Sequence, residues 1–194
     1  MTIRRPVRRK LLKLLIASDI HGSAYYCRLL LTRLQEERPD TLLLLGDLLY
    51  HGPRNDLPRE YAPKEVIRML NDCPVRKLCV RGNCEAEVDQ MVLNFAVLAD
   101  YAFFYTGDRQ IFLTHGHRYN LRRLPPSLHP GDLLLHGHTH VPAWQAFGNR
   151  NYYLNPGSVS LPKEESPHSF MTFDGHTFVW LDITDGQPYH TLCL

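Results

Sequence analysis

Asp19 and His21, Asp47 beside Gly46, Asn83 with Cys84 and Glu85, His115 and His117, and the run His136, His138 and His140 form five groups of metal-ligand residue types. Taken singly, each group reads as a turn or a cap. Their shared position changes that reading, because every group stands directly after a short apolar run. Of the eleven histidines, His115, His117, His136, His138 and His140 crowd into 26 positions, and solvation alone gives no reason to place them after strands. In an extended segment, residues two apart point the same way, so His138 and His140 are expected to face two adjacent ions, and Asp19 with His21 shares that geometry. Gly46, Gly82 and Gly137 let the backbone approach a ligand closely. The chemistry this composition suits is binding of metal ions by mixed oxygen and imidazole ligands.

Such residues need elements to present them. Leu11 to Ala17 reads as a buried strand, and a helix follows from Ser23 to about Glu37, with Leu29, Leu30 and Leu34 inward. Thr41 to Leu45 repeats the strand. A polar loop from Gly46 through Pro58 then leads to a helix opened by Pro63 and ending near Asn71. Val75 to Val80 is a third strand, and Glu87 to Asn94 a third helix. This βαβαβα half predicts a mostly parallel sheet, whose ligands gather beyond the carboxyl ends of the strands.

From Ala102 onward the period changes to two. Turn pairs at Gly107-Asp108, Gly148-Asn149 and Asp174-Gly175 separate short segments rich in Tyr, Phe, Val and Thr. Strands are expected at about 102–105, 110–114, 132–135, 143–147, 151–154, 169–173 and 177–182, together forming a second sheet with antiparallel elements. The aromatic run Tyr101 to Tyr105 reads as sheet surface and core.

A chain of 194 residues, 44% hydrophobic and 22% charged, is long enough for one core, and these values exclude disordered, collagenous and coiled-coil classes. No apolar run is long enough to span a bilayer; the best candidate, Leu42 to Leu49, carries Asp47. Residues 1–10 hold Arg4, Arg5, Arg8, Arg9 and Lys10 and no acid. They are expected to be a flexible, solvated leader, with residues 11–194 forming a single domain, and nucleic acid is not an expected partner. A signal peptide is a poor description, since Lys13 interrupts the apolar stretch and no small-residue cleavage site follows. Five scattered cysteines give neither a disulfide framework nor a thiolate zinc site, which suits a cytoplasmic location.

Read in order, D-x-H, G-D, G-N-C-E, H-G-H and G-H-T-H resemble the motifs of the calcineurin-like metallophosphoesterase superfamily. The stretches Ala17 to Ser23, His51 to Asn55, Arg81 to Cys84, Asp89 to Met91 and Asn155 to Ser160 look like its small bacterial YfcE-type phosphodiesterases. The resemblance covers most of Leu11 to Asp182. It implies an α/β fold, a four-layer αββα sandwich with two divalent metal ions at the inner sheet edges. Position by position, Asp19, His21 and His140 would bind one ion and Asn83, His115 and His138 the other, with Asp47 bridging. Manganese is the ion the family implies, while mixed oxygen and imidazole ligands also suit zinc or iron, and nickel or cobalt remain compatible.

The implied reaction is hydrolysis of small phosphodiesters by in-line attack of a metal-bridging hydroxide. Two divalent ions bring about +4, against −2 from Asp19 and Asp47 and −1 from hydroxide, leaving about +1 to meet a singly charged diester. Asp47, Asn83 and His115 would stabilise the transition state. Cys84 departs from the wider superfamily, where a His at this position helps protonate the leaving group; a thiol is a poorer donor. His117 or His51 are candidates to substitute. Arg54 and Asn55 either contact substrate phosphate or close a Gly-Pro turn, and Asn155 to Ser158 reads as a structural turn. The competing function is a metal-binding protein-interaction scaffold, the role of a retromer subunit of similar fold. The family also implies a homodimer or homotetramer.

Overall fold

Strand β1, Leu14–Ala17, is apolar at every position and buried at every position, as a strand covered on both faces must be. The computed structural model describes residues 12–107 and 109–194; the basic leader expected over 1–10 lies outside the described residues. β1 pairs in parallel with β2, Thr41–Leu44, which pairs in parallel with β3, Arg76–Cys79. Helix α1, Ala24–Glu37, joins the first two strands and α2, Pro63–Asp72, the next. The Ser23 hydroxyl accepts from Tyr26 N at the start of α1, satisfying a backbone donor the helix cannot. Pro63 opens α2 where its missing N–H costs nothing. A short α3, Glu87–Val92, follows β3.

Alternation along β1 and β2 divides the interior into two cores. Leu15, Ala17, Leu42 and Leu44 face Leu30, Leu34, Val66 and Leu70 of the helices. Leu14, Ile16, Leu43 and Leu45 face a second sheet through Ile111, Leu113, Leu133, Leu135 and Leu154. Each fully buried aliphatic side chain contributes about 1.5–3 kcal/mol.

The second sheet runs β4-β5-β6-β8-β7, made of Tyr101–Thr106, Arg109–Thr114, Leu133–Leu135, Asn151–Asn155 and Ala143–Phe147. Its hairpins β4-β5 and β7-β8 are antiparallel, as the Gly107 and Gly148-Asn149 turn signals require, while β5, β6 and β8 pair in parallel. Along β4, Tyr101, Phe103 and Tyr105 are exposed and the alternate residues half-buried. Over the outer face crosses the segment 115–131, with the Tyr119 ring 5.6 Å from Phe112. The result is an α/β fold of two apposed sheets flanked by helices.

Two expectations for the second half need correction. β9, Ser169–Phe173, and β10, Thr177–Asp182, belong to the first sheet, where β9 lies antiparallel to β1. β9 is buried at every position, so it needs cover on both faces, and the place beside β1 provides it. A further strand, β11, Pro188–Cys193, closes that sheet's edge. Its alternating exposure and initial proline fit an edge, and with Pro188, His190 and Thr191 it has no apolar run to reveal it.

Candidate metal centre

The parallel strands of both sheets end at one seam, and there the five sequence groups meet. Asp19 and His21 follow β1, Asp47 follows β2, Asn83 to Glu85 follow β3, His115 follows β5, and His138 and His140 follow β6. Asp19, His21, His115 and His140 are at most 3% exposed, and Asp47 is 2% exposed. The described residues contain three groups able to hold a cation: Asp19 with His21 and His140, Asp19 with Asp47 and His115, and His21 with Asp47 and Cys84.

The local geometry differs from the extended one expected. Asp19, His21, Asp47, His138 and His140 all have positive φ, between 48° and 67°. Asp and His tolerate this left-handed region better than most residues, yet each such residue costs of order 1–2 kcal/mol. Side chains are thus aimed by sharp turns rather than by a strand's alternation. Backbone bonds hold those turns: Asp19 N donates to Gly46 O at 3.1 Å, His21 N to Asp47 O at 2.9 Å and Gly22 N to Leu48 O at 2.9 Å.

Three imidazoles are oriented alike. Nδ1 of His21, His115 and His140 lies 2.8, 2.6 and 2.6 Å from the carbonyl oxygens of Tyr50, Leu45 and Leu161. A carbonyl only accepts, so the network assigns the proton to Nδ1 and leaves Nε2 with a lone pair. These Nε2 atoms converge. Those of His21 and His140 are 3.1 Å apart, and each lies within 3.5 Å of Asp19 Oδ1. His115 Nε2 lies 3.1 Å from Asn83 Oδ1, 3.2 Å from His138 Nδ1 and 3.3 Å from Asp47 Oδ2. Asp47 Oδ2 is also 3.8 Å from His21 Nε2, so this carboxylate spans both groups.

Such a constellation fits divalent cations. Asp19 Oδ1 is buried with no hydrogen-bond partner among the described residues, a state a buried carboxylate oxygen does not keep without a cation. Electrostatics agree. Burial would raise the Asp19 carboxyl, but the His140 and His21 imidazoles beside it, with the charge of His115, outweigh it and hold the group well below its usual range. Burial likewise opposes charge on His115, yet Asp47 and Asp19 push its imidazole up to about 9. The seam favours positive charge, for which protons and metal ions compete at the same nitrogens.

Side chains outside the expected ligand set keep the site in shape. Glu85, 5% exposed, accepts from Asp47 N at 2.9 Å, Leu48 N at 2.7 Å and Gly82 N at 2.5 Å, tying the Gly46-Asp47 turn to the loop after β3. Ser158 and Ser160 hydroxyls donate to Asp19 O at 2.9 and 3.1 Å, and Asn155 Nδ2 to Gly137 O at 2.9 Å. The Asn155 to Ser158 turn is structural and, in addition, braces two of the ligand loops. Its polar residues after β8 were the available signal, since β8 ends at the same seam. At Gly137 a Cβ would overlap Ser18 Oγ, and at Gly82 it would overlap Asp47 Oδ1, so both glycines are set by close approach.

The remaining candidates lie around this cluster. Cys84 N donates to Asp47 Oδ1 at 2.8 Å, and burial followed by the Asp47 charge pushes its thiol up, keeping it protonated. The His117 ring is 5.5 Å from that of His115, and burial with the charge of His115 lowers it to about 4. Asn55 donates its amide to His51 O at 2.7 Å, closing the turn, and Arg54 is exposed. His51 packs edge-on against Tyr50 and Tyr61. His136 stacks on Tyr153 at 4.3 Å.

Comparison with known proteins bears on this geometry. The calcineurin-like phosphoesterase superfamily domain matches residues 12–177. The phosphodiesterase YfcE of Escherichia coli strain K12 is 40% identical over 175 residues, covering 90% of this chain and 94% of that protein. The solved structure of E. coli YfcE, described as a phosphoesterase, superposes with a TM-score of 0.89 at 38% identity, covering 94% of this chain and 99% of that one. Entamoeba histolytica Vps29 complexed with zinc shares the fold, with a TM-score of 0.58 at 21% identity over 94% of this chain and 99% of that one.

Proposed function

Because the chain belongs to the calcineurin-like phosphoesterase superfamily, we propose that it is a metal-dependent phosphodiesterase. It would hydrolyse small phosphodiesters by in-line displacement at phosphorus, at a site for two divalent cations, manganese by family likeness. The observation that carries this reading is the convergence of His21, His115 and His140 Nε2 on Asp19 and Asp47 at the seam.

Asp19, His21 and His140 would hold one cation, Asn83, His115 and His138 the other, and Asp47 would reach both. The cations would supply Lewis acidity and activate water for attack on phosphorus. Backbone carbonyls at Tyr50, Leu45 and Leu161 fix the imidazoles before substrate arrives, so little reorganisation remains for the reaction. Cys84 stands beside His21 and Asp47, on the side proposed for the leaving alcohol, where a protonated thiol is a weak donor. This favours esters whose alcohols leave without a strong acid. No helix among the described residues is long and apolar enough to cross a membrane, and the described cysteines are all free. Both facts are compatible with a cytoplasmic enzyme.

Metal analysis coupled to hydrolysis of bis(4-nitrophenyl) phosphate tests the reading. About two ions per chain and hydrolysis restored by metal after chelation are expected. Failure of manganese, zinc, iron, cobalt, nickel and magnesium to restore any hydrolysis would leave the scaffold function in its place.

A further inference from the structure

Beside the cation cluster lies a cavity of about 290 Å³, walled on one side by His138 and Thr139 and on the other by Gly116, Leu121 and Arg122. Its floor is the His136 ring stacked on Tyr153. Gly116, with φ of 116°, lets the outer loop come down on that floor, since a Cβ there would lie 2.5 Å from His136 Nδ1. The volume is at the small end for ligand pockets, which run from roughly 300 Å³ upward, and suits one ring rather than a nucleotide chain.

Several polar groups of this cavity are already committed to partners within the protein. Asn120 donates to Gly116 O at 2.9 Å and its Oδ1 accepts from Arg122 N and Arg123 N, which pins the loop. Thr139 Oγ1 and the Tyr153 hydroxyl both accept from Asn155 Nδ2 at 2.9 and 2.8 Å. The neighbouring cations are also engaged, Arg118 with Asp100 and Arg123 over the Tyr119 ring. The Arg122 guanidinium has no hydrogen-bond or ion-pair partner among the described residues, and no carboxylate lines the cavity.

We propose that this cavity is a specificity subsite for the ester group that stays on phosphorus, and that Arg122 selects groups ending in an anion. The inference rests on the phosphodiesterase reading and names its substrate class: diesters in which one alcohol is a small ring bearing a carboxylate or phosphate. Two observations orient it. The cavity opens beside His138, whereas Cys84 stands by His21 and Asp47, so the departing alcohol and the retained one lie on different sides of the cluster. Leu121 and the His136–Tyr153 stack take the ring, and the free guanidinium fork takes the anion with two parallel hydrogen bonds.

Three 4-nitrophenyl diesters test this, with methyl, phenyl and 4-carboxyphenyl as the second group. In each, water oxygen bonds to phosphorus, the bond to nitrophenolate breaks, and the second group remains on the monoester product. The manganese-loaded protein should show rising kcat/KM in that order, the carboxylate adding roughly fivefold over phenyl through KM, the scale of an exposed ion pair. Arg122→Ala should abolish the carboxylate's advantage over phenyl, and Arg122→Lys should restore part of it. Leu121→Trp, which fills the cavity, should erase the advantage of both rings over methyl. Equal kcat/KM for the three esters, or ratios unchanged by both Arg122→Ala and Leu121→Trp, overturns the subsite while leaving phosphodiesterase activity intact. Absence of hydrolysis of all three esters overturns that activity and the subsite with it.

Discussion

His21 and His140 point their Nε2 atoms at one another across 3.1 Å while each gives its Nδ1 proton to a backbone carbonyl. Two lone pairs at that separation repel unless a proton or a metal ion lies between them, and the buried carboxylate oxygen of Asp19 beside them suits a metal ion. Divalent metal should therefore stabilise the fold. At a free concentration 100 times Kd the gain is about 2.7 kcal/mol, which for a chain of this size raises Tm by roughly 5–10 °C. Differential scanning fluorimetry of chelated protein titrated with manganese or zinc measures it, and His140→Ala should remove most of the shift. A Tm indifferent to every divalent ion would show that the pair is not a cation site.

Asp47 and Asp19 differ in reach. Asp47 Oδ2 lies within 3.8 Å of both His21 and His115, whereas the contacts of Asp19 Oδ1 within 3.5 Å are with His21 and His140. Asp47→Asn should lower kcat more than Asp19→Asn, by over about 100-fold relative to the unaltered protein. Assays at saturating metal decide this, and an undiminished rate in Asp47→Asn would remove that residue from the site.

Glu85 satisfies three backbone donors with one buried carboxylate. Glu85→Gln keeps the size but replaces one accepting oxygen with a donor, leaving at least one buried N–H unpaired. The expected cost is about 1–3 kcal/mol, read from urea unfolding of the metal-loaded protein, with weakened metal binding by calorimetry. Retained stability and affinity would show that water or rotation of the amide replaces the lost acceptor.

Gly82→Ala addresses the same junction through shape. The added methyl would occupy the place of Asp47 Oδ1 and press on Glu85, so the carboxylate must turn away from His115. Metal affinity should fall by about 10- to 100-fold, the range for disturbing a group that orients a ligand, and Tm of the metal-free protein should fall as well, since the methyl also meets the Asp47 backbone nitrogen at 2.5 Å. Unchanged affinity would mean that Asp47 keeps its place without the close approach of Gly82.

Cys84→His should act according to the leaving group. An aryl alcohol with a pKa near 7 departs largely unaided, whereas an alkyl alcohol above about 12 needs a proton, and a positioned acid supplies 10²- to 10⁴-fold. The substitution should therefore accelerate alkyl esters and leave the aryl rate nearly constant, measured with one metal at saturation. An equal gain on both ester types would show that position 84 acts through metal loading or packing.

Much of this architecture was legible in the residues themselves. Short apolar runs such as Leu14 to Ala17 and Thr41 to Leu44 mark buried strands because burial on both faces demands continuous hydrophobicity, and local turn chemistry at Gly148-Asn149 and Asp174-Gly175 marks hairpins. The site residues were legible for a related reason: strands run to one edge, so polar groups following several of them must gather there. What needed the tertiary structure was everything set by non-local pairing. Ser169–Phe173 has the same pattern whether it lies in either sheet, and only the open place beside β1 decides it. Asp19 and His138 are aimed by left-handed turns that no spacing rule encodes, held by bonds such as His138 N to Asp19 Oδ2 across 119 positions of chain. Glu85 and Ser158 acquire their roles from the backbone atoms that folding brings to them, and the free charge of Arg122 exists because folding gives its neighbours other partners. Residue type and local order carry the chemistry, while side-chain direction depends on contacts between distant segments, which sequence order alone does not contain.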